Sequence, residues 1–132
     1  MGLGDTLDRN APHELVLKNV DPSNIVSVRC GPRDFPFGKP SDPLKERGPE
    51  NTFISLNNYE VHVCGCNYNG ELGLNPDVYG ESACKPIKLS FNVNIKYISC
   101  GADHTIFHAI DETFYICGSV YRGLTYIYTI IK

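Results

Sequence analysis

Cys64-Gly65-Cys66, with Cys100 and His104 further on, supplies three thiols and an imidazole, the donor types of a tetrahedral zinc site. No C-x-x-C pair accompanies them, however, and Cys30 with Cys100, and Cys64 with Cys117, occupy equivalent places in the repeat described below. Four of the six cysteines are therefore expected to be small buried strand residues. A structural zinc at Cys64, Cys66, Cys100 and His104 is only a third reading. His104 beside Asp103, with Cys100 close in sequence, has the residue types of a nucleophile and base pair. The Gly101 corner separates the two, and extended chain sends alternate side chains to opposite faces, so the pair is not set for catalysis. Gly65 and Gly70 have the glycine spacing of a phosphate loop, but Glu71-Leu72 follows where Lys and Ser or Thr are required. No catalytic, cofactor-binding or metal residue is assigned.

The elements that position these residues are short. Apolar residues fall in β-branched and aromatic bursts such as Ile25-Val26-Ser27-Val28, Ile95-Lys96-Tyr97-Ile98, Thr105-Ile106-Phe107-His108 and Phe114-Tyr115-Ile116, which have strand length and no helical period. Asn57-Asn58, Asp111-Glu112, Asn67-Tyr68-Asn69-Gly70 and Asn75-Pro76-Asp77 lie between them as turns. The spacing predicts an all-β protein with tight hairpins.

A repeat organises these strands. Thr52, Cys64 and Gly70 recur 53 residues later as Thr105, Cys117 and Gly123, each of the first two within the same apolar context. Ile25-x-x-Val28-x-Cys30-Gly31 recurs 70 residues later as Ile95-x-x-Ile98-x-Cys100-Gly101. The difference of 17 residues places an insertion in the first copy between Gly31 and Asn51, where Pro32, Pro36, Pro40, Pro43 and Pro49 remove ladder donors at short intervals. The expected organisation is a partial first repeat over residues 1–31, an inserted loop over 32–51, a second unit over 52–101, a partial third over 102–125 and a degenerate tail over 126–132.

Asn67-Tyr68-Asn69-Gly70-Glu71-Leu72-Gly73-Leu74, then Pro86, then Ile98-Ser99-Cys100-Gly101-Ala102-Asp103-His104-Thr105 and Tyr115-Ile116-Cys117-Gly118 resemble the regulator of chromosome condensation repeat. Gly2-Leu3-Gly4-Asp5, Pro12 and Val28-Arg29-Cys30-Gly31 resemble the same repeat begun partway. The resemblance implies an incomplete β-propeller of antiparallel four-stranded blades, about two and a half repeats long, with a Pro/Gly-rich loop insertion. It makes Cys30, Gly31, Cys64, Gly65, Gly70, Leu72, Gly73, Cys100, Gly101, His104, Thr105, Cys117, Gly118 and Gly123 the structural repeat motif, with the His-Thr pair bonded to the blade's own backbone. The family's Trp is replaced by Cys64 and Cys117, its His by Asn51 in the first copy and its Gln by Glu71. The copies are degenerate.

Function is expected to lie in protein binding. Phe35, Phe37 and Leu44, set among Lys39, Lys45 and Arg47 in the inserted loop, are the candidate partner-binding residues, because apolar anchors in a Pro-stiffened segment suit a partner's pocket. The resemblance implies a non-catalytic interaction module, or alternatively a guanine-nucleotide exchange factor, or a fragment of one, for a Ran-like small GTPase. Twelve Lys and Arg against 15 Asp and Glu, a net charge of −3, argue against nucleic acid as the main partner. No apolar run approaches the ~20 residues of a membrane span, and no signal segment opens the chain, so an intracellular protein with reduced thiols, cytoplasmic or nuclear, is expected. The uncharged tail Tyr126-Ile127-Tyr128-Thr129-Ile130-Ile131 is expected to seek a partner strand, and further blades or self-association to cover the open blade faces.

Overall fold

The computed structural model describes residues 2–4, 7, 10–31, 51–68, 70–101, 104–118 and the backbone of 129–131. Strands β1 (Ile25–Cys30), β2 (Asn51–Leu56), β3 (Val61–Cys66) and β4 (Ser82–Lys88) pair in that order into one antiparallel sheet. Strands β5 (Ile95–Cys100), β6 (His104–Ala109), β7 (Phe114–Gly118) and β8 (Thr129–Ile131) make a second. The protein is an incomplete β-propeller whose described part holds two four-stranded blades. Helix is confined, among the described residues, to α1 (Pro76–Tyr79) and a 3-10 turn at Pro22–Asn24. At α1 the expected turn Asn75-Pro76-Asp77 winds once further: Asn75 Oδ1 accepts from the Asp77 amide at 2.9 Å and proline occupies the first helical position.

The 53-residue offset is a geometric identity. Leu56 N donates to Glu60 O and Ala109 N to Thr113 O, both at 2.9 Å, closing the same hairpin twice. Within each hairpin one non-glycine residue adopts the left-handed region, Tyr59 at φ 67° and Glu112 at φ 65°. Asn58 Oδ1 and Asp111 Oδ1 accept the amides of Glu60 and Thr113 at 3.2 and 3.0 Å, the side-chain turn that makes Asn or Asp the fitting residue there. The 70-residue offset is equally geometric. Pairing shifts by one residue between Ile25 and Ser27 and again between Ile95 and Tyr97. That bulge puts residues three apart on one face, and Ile95 and Ile98 accordingly both enter the core.

The main core lies between the sheets. Phe53, Val61 and Val63 of the first sheet and Ile95, Ile98, Phe107, Ala109 and Cys117 of the second are buried together, with Leu72, Leu74 and Leu89 from the connection between β3 and β5. Phe53 and Phe107 meet edge to face with centroids 5.8 Å apart, and Phe91 lies 4.9 Å from Phe107 and 5.8 Å from Tyr115. A smaller cluster, Leu17, Ile54 and Leu56 with Leu15 and Val20 against them, covers the other face of the first sheet.

Two expectations need adjustment. Cys30 is exposed rather than buried, because β1 is an edge strand and no described sheet packs against the face that carries it, whereas its counterpart Cys100 has the first sheet alongside. The tail finds a strand partner within this chain: residues 129–131 pair with β7, Ile116 opposite Thr129 and Phe114 opposite Ile131. Phe35, Phe37, Leu44 and Gly123 lie outside the described residues.

Candidate functional site

The repeat motif is brought together at corresponding corners of the two sheets. Gly31 N donates to Asn51 O at 3.0 Å and Gly101 N to His104 O at 2.7 Å, so Asn51 stands where the second copy has His104. Thr52 pairs with Cys30 and Cys64 across the first sheet, and Thr105 with Cys100 and Cys117 across the second. Cys30 Sγ and Thr52 Oγ1 are 3.9 Å apart. In the second sheet the hydroxyl of Thr105, fully buried, has no hydrogen-bond partner among the described residues, which departs from the expected bond to the blade's backbone. Gly65 and Gly118 take φ 125° and 115° at the same place in β3 and β7, a region that favours glycine.

Gly70 and Gly73, both at φ 76°, turn the loop that carries Leu72 into the core. Sequence reasoning placed Asn67 at the head of this loop without giving it a task. The structure supplies one: its buried amide donates to Leu74 O at 3.0 Å and Gly80 O at 3.3 Å while Oδ1 accepts from Leu72 N at 3.1 Å. Glu71 is buried beside it, and its carbonyl accepts from Cys117 Sγ at 3.4 Å. The N-terminal segment reproduces this contact: a Cβ on Gly73 would meet Cys117 Sγ at 3.7 Å, and one on Gly2 would meet Cys64 Sγ at 3.3 Å.

Burial holds four of the thiols protonated. Burial pushes Cys100 up to about 11 and Cys117 up to about 12, and raises Cys64 and Cys66, so the reactive thiolate is scarce at neutral pH. Among the described residues no group of three or more His, Cys, Asp or Glu side chains converges as a metal centre requires.

One cleft of about 820 Å³ opens between residues 14–20 and strands β3 and β4, lined by Leu15, Leu17, Val20, Glu60, His62, Lys85 and Lys88 among others. Lys88 Nζ donates to Glu60 Oε1 at 2.6 Å and holds that carboxyl below its ordinary range. His62 Nε2 lies 3.8 Å from Glu60 Oε2, too far for a hydrogen bond, and burial lowers the imidazole's pKa below its ordinary value. Its counterpart in the second sheet is Tyr115, which has Phe91 against it. The cleft sits on the His62 side, where no such aromatic contact forms among the described residues.

The second sheet also presents a face turned away from the first. Tyr97, His108 and Phe114 form a row on it, the His108 and Phe114 rings stacked at 4.3 Å and 9°, and Tyr97 5.9 Å from His108. Glu112 closes one end of the row, accepting from His108 Nε2 at 2.8 Å with Lys96 Nζ 3.7 Å away. Ile106 and Ile116 lie beside the row, half-buried.

Comparison with known proteins agrees with this architecture. Human WBSCR16 superposes with a TM-score of 0.52 at 19% identity over 72% of this chain and 20% of its own, a likeness of fold. Prp20p from Saccharomyces cerevisiae, described with its binding to Gsp1p and histones, gives 0.48 at 26% identity over 61% of this chain and 20% of its own. Yeast RCC1 (Prp20) bound to Kap60 gives 0.49 at 26%, with the same coverage. The chain covers about a fifth of the length of each of these proteins. No curated protein matches it. No described helix is long and apolar enough to cross a membrane. Residues 60–107 match the family model of the regulator of chromosome condensation (RCC1) repeat, the span that runs from Glu60 through the Asn67 loop to the His104-Thr105 pair. The same hairpin, bulge and glycine corner are built twice in the chain, and the matched span runs from one four-stranded blade into the next.

Proposed function

We propose that this chain is a non-catalytic protein-protein interaction module of the RCC1-repeat type, whose partner is engaged by the inserted loop. One observation carries the reading. The two sheets agree hydrogen bond for hydrogen bond at their hairpins, yet β1 and β2 are joined by residues 31–50 where β5 and β6 need only 101–103. The second sheet demonstrates that the blade closes without the insertion. Binding residues concentrate in loops inserted into a rigid scaffold. Phe35, Phe37 and Leu44 are its apolar anchors, and the repeat motif from Cys30 to Gly123 is the scaffold that presents them. The division into 1–31, 32–51, 52–101, 102–125 and 126–132 belongs to the same reading, as does an intracellular location.

The alternative, nucleotide exchange on a Ran-like small GTPase, has no contact residue assigned on this chain. Affinity capture with the wild-type chain and with a Phe35→Ala/Phe37→Ala/Leu44→Ala variant separates the two readings. Proteins retained by the wild type and lost by the variant are expected, with no acceleration of nucleotide release from a loaded Ran-type GTPase. Identical retention by both chains removes the loop from the reading, and accelerated release replaces it with exchange.

A further inference from the structure

The connection between β3 and β4 divides into a part that the fold uses and a part that it does not. Leu72 and Leu74 enter one core with Phe53 of the first sheet and Phe107 of the second, and the Asn67 side chain ties their loop together. Residues 75 and 77–82, by contrast, are all exposed, Val78 at 70% and Tyr79 at 48%. Tyr68, 61% exposed, lies beside them. Asn67 N donates to Glu81 O at 2.8 Å and Asn67 Nδ2 to Gly80 O at 3.3 Å, which carries the pairing of Cys66 with Ser82 outward and sets Tyr68 next to the Tyr79-Gly80 turn. Gly80, at φ 78°, has open space where a side chain would stand. Charge here is of one sign. Asp77 and Glu81 are exposed, and no Lys or Arg occurs between Arg47 and Lys85. Lys85 itself is turned to the N-terminal segment, its stem lying over Gly4.

We propose that this ledge docks an arginine-bearing extended segment of another protein. Exposed apolar side chains gathered in one place mark a contact surface, and Tyr68, Val78 and Tyr79 supply it. Their surroundings select the occupant. Tyrosine rings attract a guanidinium, the carboxylates of Asp77 and Glu81 pair with it, and the missing side chain at Gly80 leaves it room. Arginine fits better than lysine, because its planar head stacks on an aromatic ring and bonds a carboxylate at the same time. Val78 receives the apolar stem that carries the charge. The ledge is a second surface, independent of any partner bound by the inserted loop.

Fluorescence anisotropy of a labelled Gly/Ser peptide carrying three arginines, titrated with the full chain, tests it. Saturable binding is expected, weakening as salt rises. Tyr68→Ala and Tyr79→Ala are each expected to weaken it about 2–5-fold, the worth of an exposed cation–π contact, while Tyr68→Phe and Tyr79→Phe keep the rings and the affinity. Asp77→Asn/Glu81→Gln is expected to weaken it further than either alanine variant. Glu14→Gln removes an exposed carboxylate from the cleft instead and is expected to change nothing. The Phe35→Ala/Phe37→Ala/Leu44→Ala variant is expected to bind the peptide as the wild type does, which separates this surface from the inserted loop. Far-UV circular dichroism checks that each variant keeps its strands. An absence of saturable binding, full affinity in a Tyr68→Ala/Tyr79→Ala variant, equal losses from Glu14→Gln and Asp77→Asn/Glu81→Gln, or loss of binding in the loop variant would each overturn the proposal.

Discussion

His104 stands over Gly101 so closely that a methyl group on the glycine would overlap the imidazole ring, and Asn51 stands over Gly31 in the same way. The glycine corner is therefore a steric requirement of the residue three places on in one blade and twenty on in the other. Gly101→Ala is expected to destabilise the chain by about 1–3 kcal/mol, the usual cost of overpacking. His104→Ala in the same chain is expected to recover part of that loss. Urea unfolding of the two single variants and the double variant measures the coupling.

The contact between Phe53 and Phe107 holds the sheets together, both rings being buried and their centroids 5.8 Å apart. Either ring replaced by alanine is expected to cost about 3–5 kcal/mol through lost burial and the cavity left behind. A double-mutant cycle between them is expected to give a coupling of about 0.5–1.5 kcal/mol, the specific share of an aromatic pair.

His62 makes stability depend on pH in one direction. Burial lowers its folded-state pKa below the ordinary 6.5, so the unfolded chain binds the proton more readily. Its contribution is whole above pH 6.5 and is lost as pH falls from there through the lowered folded value. Thermal melts are expected to show acid destabilisation beginning near pH 6.5, and His62→Phe is expected to flatten that limb of the profile.

Thiol labelling distinguishes the cysteines by place rather than by count. Cys30 is exposed, whereas burial holds Cys100 and Cys117 up at about 11 and about 12. Alkylation at pH 8, followed by peptide mass spectrometry, is expected to modify Cys30 well before Cys100 or Cys117. Modification of Cys117 at a rate matching Cys30 would contradict its placement in the core.

The all-β class, the hairpins and the two offsets were legible in the chain because each rests on local chemistry: Asn58 and Asp111 turn their own backbone, and Thr52 and Thr105 stand at equivalent places in β2 and β6. The propeller came only through the resemblance. What was not legible depends on neighbours. Cys30 and Cys100 have identical local sequence signals, and only the presence of a sheet beside β5 separates an exposed thiol from a half-buried one. The task of Asn67, three hydrogen bonds reaching 5 to 13 residues ahead, likewise needs the loop's path before it can be read. The cleft beside His62 lies between residues 14–20 and strands β3 and β4, a relation between segments rather than a property of either.

The unequal connections within the two blades bear on the order in which the molecule assembles. To add its first strand to the hairpin that both sheets share, the second sheet closes three residues, 101–103, while the first sheet closes twenty, 31–50. From an unfolded chain that difference costs about 1.7 kcal/mol of closure entropy. The later half of the sequence is thus the natural nucleus, with β5, β6 and β7 offering a formed surface on which Phe53, Val61 and Val63 condense. Pulse-labelled hydrogen exchange during refolding is expected to protect amides of β6 before those of β2, although β2 leaves the ribosome first.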